Sequence, residues 1–411
     1  MKLLNELISW IDERFPLTSM WKEHASEYYA PKNFNFWYFF GSLALMVLVI
    51  QIASGIFLTM NYKPDGLFAF ASVEYIMRDV QWGWLLRYIH STGASMFFVV
   101  IYLHMFRGLM YGSYRKPREL LWIIGMIIYL ALMGEAFMGY LLPWGQMSFW
   151  GAQVIVNLFS AVPFVGEDLS ILIRGDYVVS DITLNRFFAL HVIAIPLILV
   201  LIVVAHLLAL HEVGSNNPDG IEIKKHLDAN GHPLDGIPFH PYYTVKDGVG
   251  AIGFLMIFCA VIFFAPDMWG YFLEYNNFVP ANPMKTPEHI APVWYFTPYY
   301  AILRAVPPLF GSQFPGVVAM GVATLIFFFL PWLDRGRVKS IRYRGPIYKV
   351  FLTLFVISFL GLGLLGTLPA TVLYTWIARV LAIVYFSFFL LMPWYTKIDK
   401  TKHVPDRVTS R

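Results

Sequence analysis

Residues 86–108, LRYIHSTGASMFFVVIYLHMFRG, constrain the fold more than any other part of the chain. The stretch is apolar enough to cross a bilayer, yet it carries His90 and His104. Fourteen residues make almost four helical turns, about 21 Å, so the two imidazoles share one helix face about two-thirds of a bilayer core apart. A second apolar stretch, residues 185–211, repeats the arrangement with His191 and His206. Two such helices can clamp two flat metal macrocycles stacked across the membrane. A neutral imidazole nitrogen is a good axial ligand for haem iron, so the pattern points to two bis-histidine haems. Histidines that only join helices by hydrogen bonds would have no cause to recur at near-equal spacing on two stretches.

The glycines carry the same interval. Gly41 and Gly55 lie fourteen apart on the first apolar stretch, and Gly125 and Gly139 fourteen apart on the third. Glycine lets a bulky group approach a helix backbone, so these positions read as flat walls opposite the ligands. The expected fold is an all-α membrane protein with eight transmembrane helices, the first four bundled around two haems, with amphipathic surface helices on the outer side. The composition, 58% hydrophobic and 14% charged, excludes a soluble enzyme. A single cysteine, Cys259, leaves no disulfide framework and no cysteine-ligated iron–sulfur site. No Cys-x-x-Cys-His occurs either, so the haems are expected to be non-covalent, b-type.

The eight spans are expected at residues 37–60, 85–110, 120–142, 185–210, 249–265, 315–332, 348–366 and 370–394. Lysine and arginine concentrate in the connections after the second, fourth and sixth spans and in the tail; the run 334–349 alone holds six. Both termini are therefore expected in the cytoplasm, with His90 and His191 toward the outer side. No cleavable signal peptide is expected in residues 1–32. The chain divides into a cytoplasmic amphipathic segment (1–36), a di-haem bundle (37–210), a cytoplasmic connection (211–248), a C-terminal four-helix region (249–396) with an outer loop (267–311), and a cytoplasmic tail (397–411). Residues 143–173 read as short helices lying on the outer surface. Arg379, inside the last span, receives no role.

With these histidines stand the motifs GYLLPWGQMSFWGAQVI at 139–155, HEVGSNNPDG at 211–220, KDGVG at 246–250, FAPD at 264–267 and PVWYFTPYYAILR at 292–304. In this order, over nearly the whole chain, they resemble the cytochrome b subunit of the bacterial cytochrome bc1 complex, quinol–cytochrome c reductase. The resemblance implies that His90 and His191 ligate a low-potential outer haem and His104 and His206 a high-potential haem nearer the cytoplasm. It implies that Arg87 and Arg107 pair with haem propionates. Quinol would be oxidised at an outer site carrying Tyr140, Phe149, Gly151, Pro292, Trp294 and Tyr295. Quinone would be reduced at a cytoplasmic-side site carrying His211, Ser215, Lys246 and Asp247, and the two reactions together would translocate protons. The implied partners are a Rieske iron–sulfur protein, cytochrome c1, a second copy of the complex and membrane lipid. No nucleic acid is expected, and the location would be the bacterial inner membrane.

Two departures call for a physical account. Val293 stands where many members of that family carry glutamate, which removes a candidate proton acceptor; Glu135, inside the third span, is the expected substitute. His191 and His206 are fifteen apart, not fourteen, which turns one ring by about 100° relative to the other on a regular helix. A bulge between Pro196 and Ala205 is therefore expected. Two rivals differ in class. A secondary transporter would show internal repeats and broken helices about a midplane site, and no repeat is present. A di-haem membrane anchor of a dehydrogenase would lack the 292–304 motif.

Overall fold

In a bilayer, every backbone N–H and C=O must find a partner within the protein, and an apolar run of about twenty residues does so as a helix. Eight such helices occur among the described residues of the computed structural model. They are α1 (Phe36–Thr59), α2 (Gly83–Tyr111), α3 (Glu119–Leu141), α4 (Asp181–Val213), α5 (Phe239–Phe264), α6 (Phe314–Leu333), α7 (Pro346–Thr367) and α8 (Val372–Leu390). Residues 2–22 and 26–409 are described. Met1 and residues 23–25 of the expected N-terminal segment, and residues 410 and 411 of the tail, lie outside them.

The first four helices pack as two pairs, α1 against α2 and α3 against α4, leaving two cavities between the pairs. Helix α5 lies against α1 and α2. Beyond it, α6, α7 and α8 close around a short helix, Thr297–Ala305, whose buried side chains include Tyr299 and Ile302. Helix α2 is the central element, with Phe97, Phe98, Val100 and Ile101 buried. Helix α4 is its opposite: of residues 195–213 only Leu199 is buried, and Leu197, Leu201 and Leu208 face outward, as lipid-facing residues do. Arg379 on α8 donates from Nε to the Ala305 carbonyl (2.9 Å), which satisfies the C-terminal end of the short helix.

Two boundaries and the position of one wide turn differ from expectation. Helix α5 is regular from Thr244, five residues before the expected 249, after a wide turn at Phe239–Tyr243 kinked at His240; Lys246 and Asp247 near its start hide the helix from an apolar reading. Helix α8 stops at Leu390, and Pro393 begins a separate helix, Met392–Ile398. The widened turn in α4 lies at Leu190–Ala194, before Pro196 and not after it; the Ile195 N–H reaches back to the Leu190 carbonyl, a five-residue step. A proline ring crowds the carbonyl four residues before it and supplies no N–H to it, so the extra residue is absorbed on the N-terminal side. The expected surface helices are present as Gln146–Ser160 and Gly166–Arg174, with a further one at Ala69–Arg78.

At the helix ends near His104 and His206, buried carboxylates tie distant segments together. Asp219 accepts from Asn33 (2.9 Å), Arg342 (2.9 Å), Tyr343 (2.8 Å) and the Thr409 backbone (2.9 Å). Asp235 binds Arg407 through both oxygens (2.7 and 2.9 Å) and Lys32 (3.0 Å). Strands β1 (Tyr29–Pro31) and β2 (Gly236–Pro238) pair antiparallel beside this clamp, Ala30 opposite Ile237. Asp334 holds Arg344 and Tyr114, and Glu222 holds Arg118 through both oxygens (2.7 and 2.8 Å). Gly112, which ends α2 at φ +63°, sits where a Cβ would meet the Lys339 carbonyl at 2.8 Å.

Candidate functional site

The four histidines meet as two facing pairs. The ring centroids of His90 and His191 are 6.1 Å apart, and those of His104 and His206 6.5 Å. An imidazole nitrogen binds a metal at about 2 Å, so two rings on opposite sides of one metal put their centroids roughly 6 Å apart. Each ring lies over one of the four glycines. A Cβ on Gly55 would stand 3.2 Å from His90 Cε1, on Gly41 3.3 Å from His104, and on Gly125 3.2 Å from His206. A Cβ on Gly139 would overlap the His191 ring outright. Two Nδ1 atoms are held from behind: His90 by the Ser54 hydroxyl (2.9 Å) and His191 by the Glu135 carbonyl (2.9 Å). An imidazole fixed through Nδ1 presents Nε2 forward, which is the arrangement an axial ligand needs.

Each pair borders its own cavity. The cavity at His90 and His191 is about 430 Å³ and is also lined by Gln51, Gly55, Arg87, Glu135 and Gly139. The cavity at His104 and His206 is about 510 Å³ and is lined by Gly41, Arg107 and Gly125. It extends outward without a break to His211, Ser215, Lys246 and Asp247, all four residues assigned to quinone reduction. Arg107 lies over the Tyr38 ring (4.9 Å) with Nη2 3.4 Å from His104 Nδ1, and its buried Nε has no partner among the described residues, a donor that an anionic group in this cavity would satisfy.

The aromatic motifs gather on the His90 side. Tyr295 stacks on Phe98 at 3.9 Å, and Trp294 donates to Ser95 (3.1 Å) while stacking on Phe272 (6.2 Å). Phe149 is buried against Trp144, and a Cβ on Gly151 would stand 3.8 Å from the Tyr140 ring. Pro292 precedes the buried Val293 in this motif. None of these six residues borders the His90 cavity. The Tyr140 hydroxyl donates to Glu274 at 2.6 Å, and burial pushes the Glu274 carboxyl up to about 7, the Tyr140 bond opposing it. The Glu135 carboxyl does not approach Tyr140; its Oε1 lies 3.0 Å from His191 Nδ1. Glu135 does share a face with Gly139, as expected, but that face addresses the histidine.

Family models described as cytochrome b/b6/petB and cytochrome b(C-terminal)/b6/petD match residues 25–214 and 280–386. A cytochrome b from Allochromatium vinosum is 66% identical, over 98% of this chain and 99% of its own length. The chain belongs to the cytochrome b family. The Rhodospirillum rubrum cytochrome b is 52% identical over 99% of this chain and 96% of its own. A Bradyrhizobium diazoefficiens relative, cytochrome b/c1, is 45% identical over 98% of this chain but only 57% of its own. Among solved structures, a chain of a hyperthermophilic respiratory complex III superposes with a TM-score of 0.88 at 40% identity, covering 95% of this chain and 99% of that one.

As a cytochrome b, the chain is the membrane-embedded electron-transfer core of a quinol–cytochrome c reductase, within a multi-subunit complex. The family binds b-type haem, and the paired imidazoles, glycine walls and anchored Nδ1 atoms fit that group. Two residues of this cytochrome b escape a sequence reading. Glu274 sits in a loop without periodicity, and only the fold brings it to Tyr140, 134 residues away. Tyr28 bonds Ser215 (3.0 Å) and packs on His211 (4.6 Å between ring centroids) from the chain's other end.

Proposed function

We propose that this cytochrome b carries two haems and runs a Q cycle in a bacterial inner membrane, oxidising quinol on the outer side and reducing quinone near the cytoplasm. The pairing of each histidine with its own glycine is the observation that carries the reading. On this reading His90 and His191 hold the outer, low-potential haem, and His104 and His206 the inner, high-potential one. Gly41, Gly55, Gly125 and Gly139 leave room for the rings, and Arg87 and Arg107 neutralise the propionates. The haems, when bound, supply two one-electron carriers between the sides of the membrane.

At the outer site Tyr140, Phe149, Gly151, Pro292, Trp294 and Tyr295 make an aromatic slot for the quinol ring. Quinol gives up two electrons and two protons as it becomes quinone. One electron leaves to a Rieske iron–sulfur protein and then cytochrome c1; the other crosses the chain inward. With Val293 unable to take a proton, the acceptor is Glu274, whose carboxyl is pushed up to about 7 by burial and is already bonded to Tyr140. On this reading Glu274 takes the proton, and Glu135, the acid expected there, faces His191. At the inner site Tyr28, Ser215 and Lys246 orient the quinone, and His211 and Asp247 relay the two protons that accompany its two electrons.

The complex is a homodimer with a Rieske protein and cytochrome c1 in a lipid bilayer, both termini of this chain cytoplasmic. A relative whose name joins b and c1 favours the second partner, and the basic run 334–349 favours the orientation. The five-part functional division at residues 36, 210, 248 and 396 is kept. Spectra of the purified complex test the proposal: two b-type haems per chain, both reduced by quinol, are expected. A single haem, or two that quinol does not reduce, would refute it.

A further inference from the structure

The two haem levels share facing histidines and glycine walls but differ at one matched position on α3. Four residues before Gly139, and one turn along the same face of α3, stands Glu135; four residues before Gly125 stands Leu121. Both side chains border the cavity of their own level. His191 therefore has two acceptors at its Nδ1, the Glu135 carbonyl at 2.9 Å and the Glu135 carboxyl at 3.0 Å. The second carboxyl oxygen is buried with no hydrogen-bond partner among the described residues.

We infer that Glu135 is a positioning residue that fixes the His191 ring and makes it a stronger electron donor to the metal, lowering the reduction potential of the outer haem relative to the inner one. The physical basis is the carboxylate–histidine–metal arrangement: an acceptor on the far ring nitrogen raises the basicity of the ligating one. A more basic ligand favours the more positive, oxidised metal. The Leu121 side chain offers no such acceptor at the inner level, so the asymmetry favours electron movement from the outer level to the inner. The inference rests on His191 being an outer-haem ligand.

The test is a redox titration of the whole complex, each haem followed by its own optical band, in Glu135→Gln and Glu135→Leu. The glutamine keeps the shape and an acceptor oxygen without the carboxylate; the leucine copies the inner level. The equilibrium constant for reducing the outer haem should rise about tenfold, about 59 mV for one electron, with the inner haem unmoved. The reciprocal Leu121→Glu should make the inner haem harder to reduce. An unchanged outer-haem titration in both Glu135 variants, with two haems bound, would overturn the inference. Loss of the outer haem from Glu135→Gln would also overturn it, by showing that the group retains the haem and does not tune it. The ligand reading fails separately, if a His191→Leu chain keeps both haems.

Discussion

At the scale of single residues, the histidines were legible because their spacing repeats, and the acids were not. Nothing in the sequence separates Glu135 from Glu274 as the outer-site acid. The distinction appears only when Glu135 meets His191 at 3.0 Å and Glu274 meets Tyr140 at 2.6 Å. If Glu274 accepts a proton from quinol, Glu274→Gln should slow quinol oxidation about a hundredfold, a usual size for general base catalysis. The active form is the deprotonated one, so wild-type turnover should rise as pH passes up through about 7, and this rise should vanish in the variant. Steady-state quinol oxidation between pH 5.5 and 8.5 checks both, and an unaltered profile would return the role to water or to Tyr295. For the ligands, His104→Leu or His206→Leu should remove one haem and spare the other, with His90→Leu or His191→Leu doing the converse. Haem-to-protein ratios and difference spectra decide it; four variants with both haems would refute the bis-histidine assignment.

Among the helices, α3 gives the sharpest contrast. A Cβ at Gly139 would overlap His191, whereas one at Gly134, five residues away, meets nothing within 4 Å. Gly139→Ala should therefore empty the outer level while leaving the inner haem. Gly134→Ala should bind both haems and gain up to about 1 kcal/mol of helix stability. Equal haem loss in the two variants would mean that the glycines serve helix packing in general. The π turn in α4 shows where a sequence reading stops. Fifteen residues between His191 and His206 demand a local adjustment, and that much follows from helix geometry alone. Its location depends on the crowding around the Val192 carbonyl, four residues before Pro196, which places the wide turn on the near side of the proline. Helix α5 was cut short for a similar cause, because polar residues facing a cavity look like a helix end.

Across the whole molecule, the spans follow from hydrophobic run length, but the layer of buried carboxylates does not. Asp219 and Asp235 draw partners from residues 32–33, 342–343 and 407–409, and no periodicity marks such partners. Arg407 and Lys32 hold the Asp235 carboxyl well below its ordinary 3.8. Burial raises Asp219, but bonds from Thr409, Tyr343 and Arg342 outweigh it and leave that carboxyl lowered as well. Groups depressed in the folded state stabilise it above their unfolded value and lose that contribution as pH falls through the folded one. The clamp should thus hold above pH about 4 and loosen below it. Amide protection at residues 407–409, taken relative to the intrinsic exchange rate at each pH, should fall below pH about 4 in the wild type, and at neutral pH in Arg407→Ala. Exchange that stays slow in Arg407→Ala would show that the tail is held by other contacts.

On the proposed two-haem reading, with His191 and His206 as ligands, the wide turn in α4 bears on how far an electron has to travel. Three of the four helices around the cavities keep the same fourteen-residue interval, so three rulers of equal length fix the rise between one level and the next. The fourth has one residue too many and takes up the slack like a vernier, within five residues and beside its own ligand. The gap between the two carriers is therefore set by majority. A one-residue insertion on α4 alters the local winding, and the same insertion on α2 would be outvoted by α1 and α3, forcing α2 to widen a turn as α4 does.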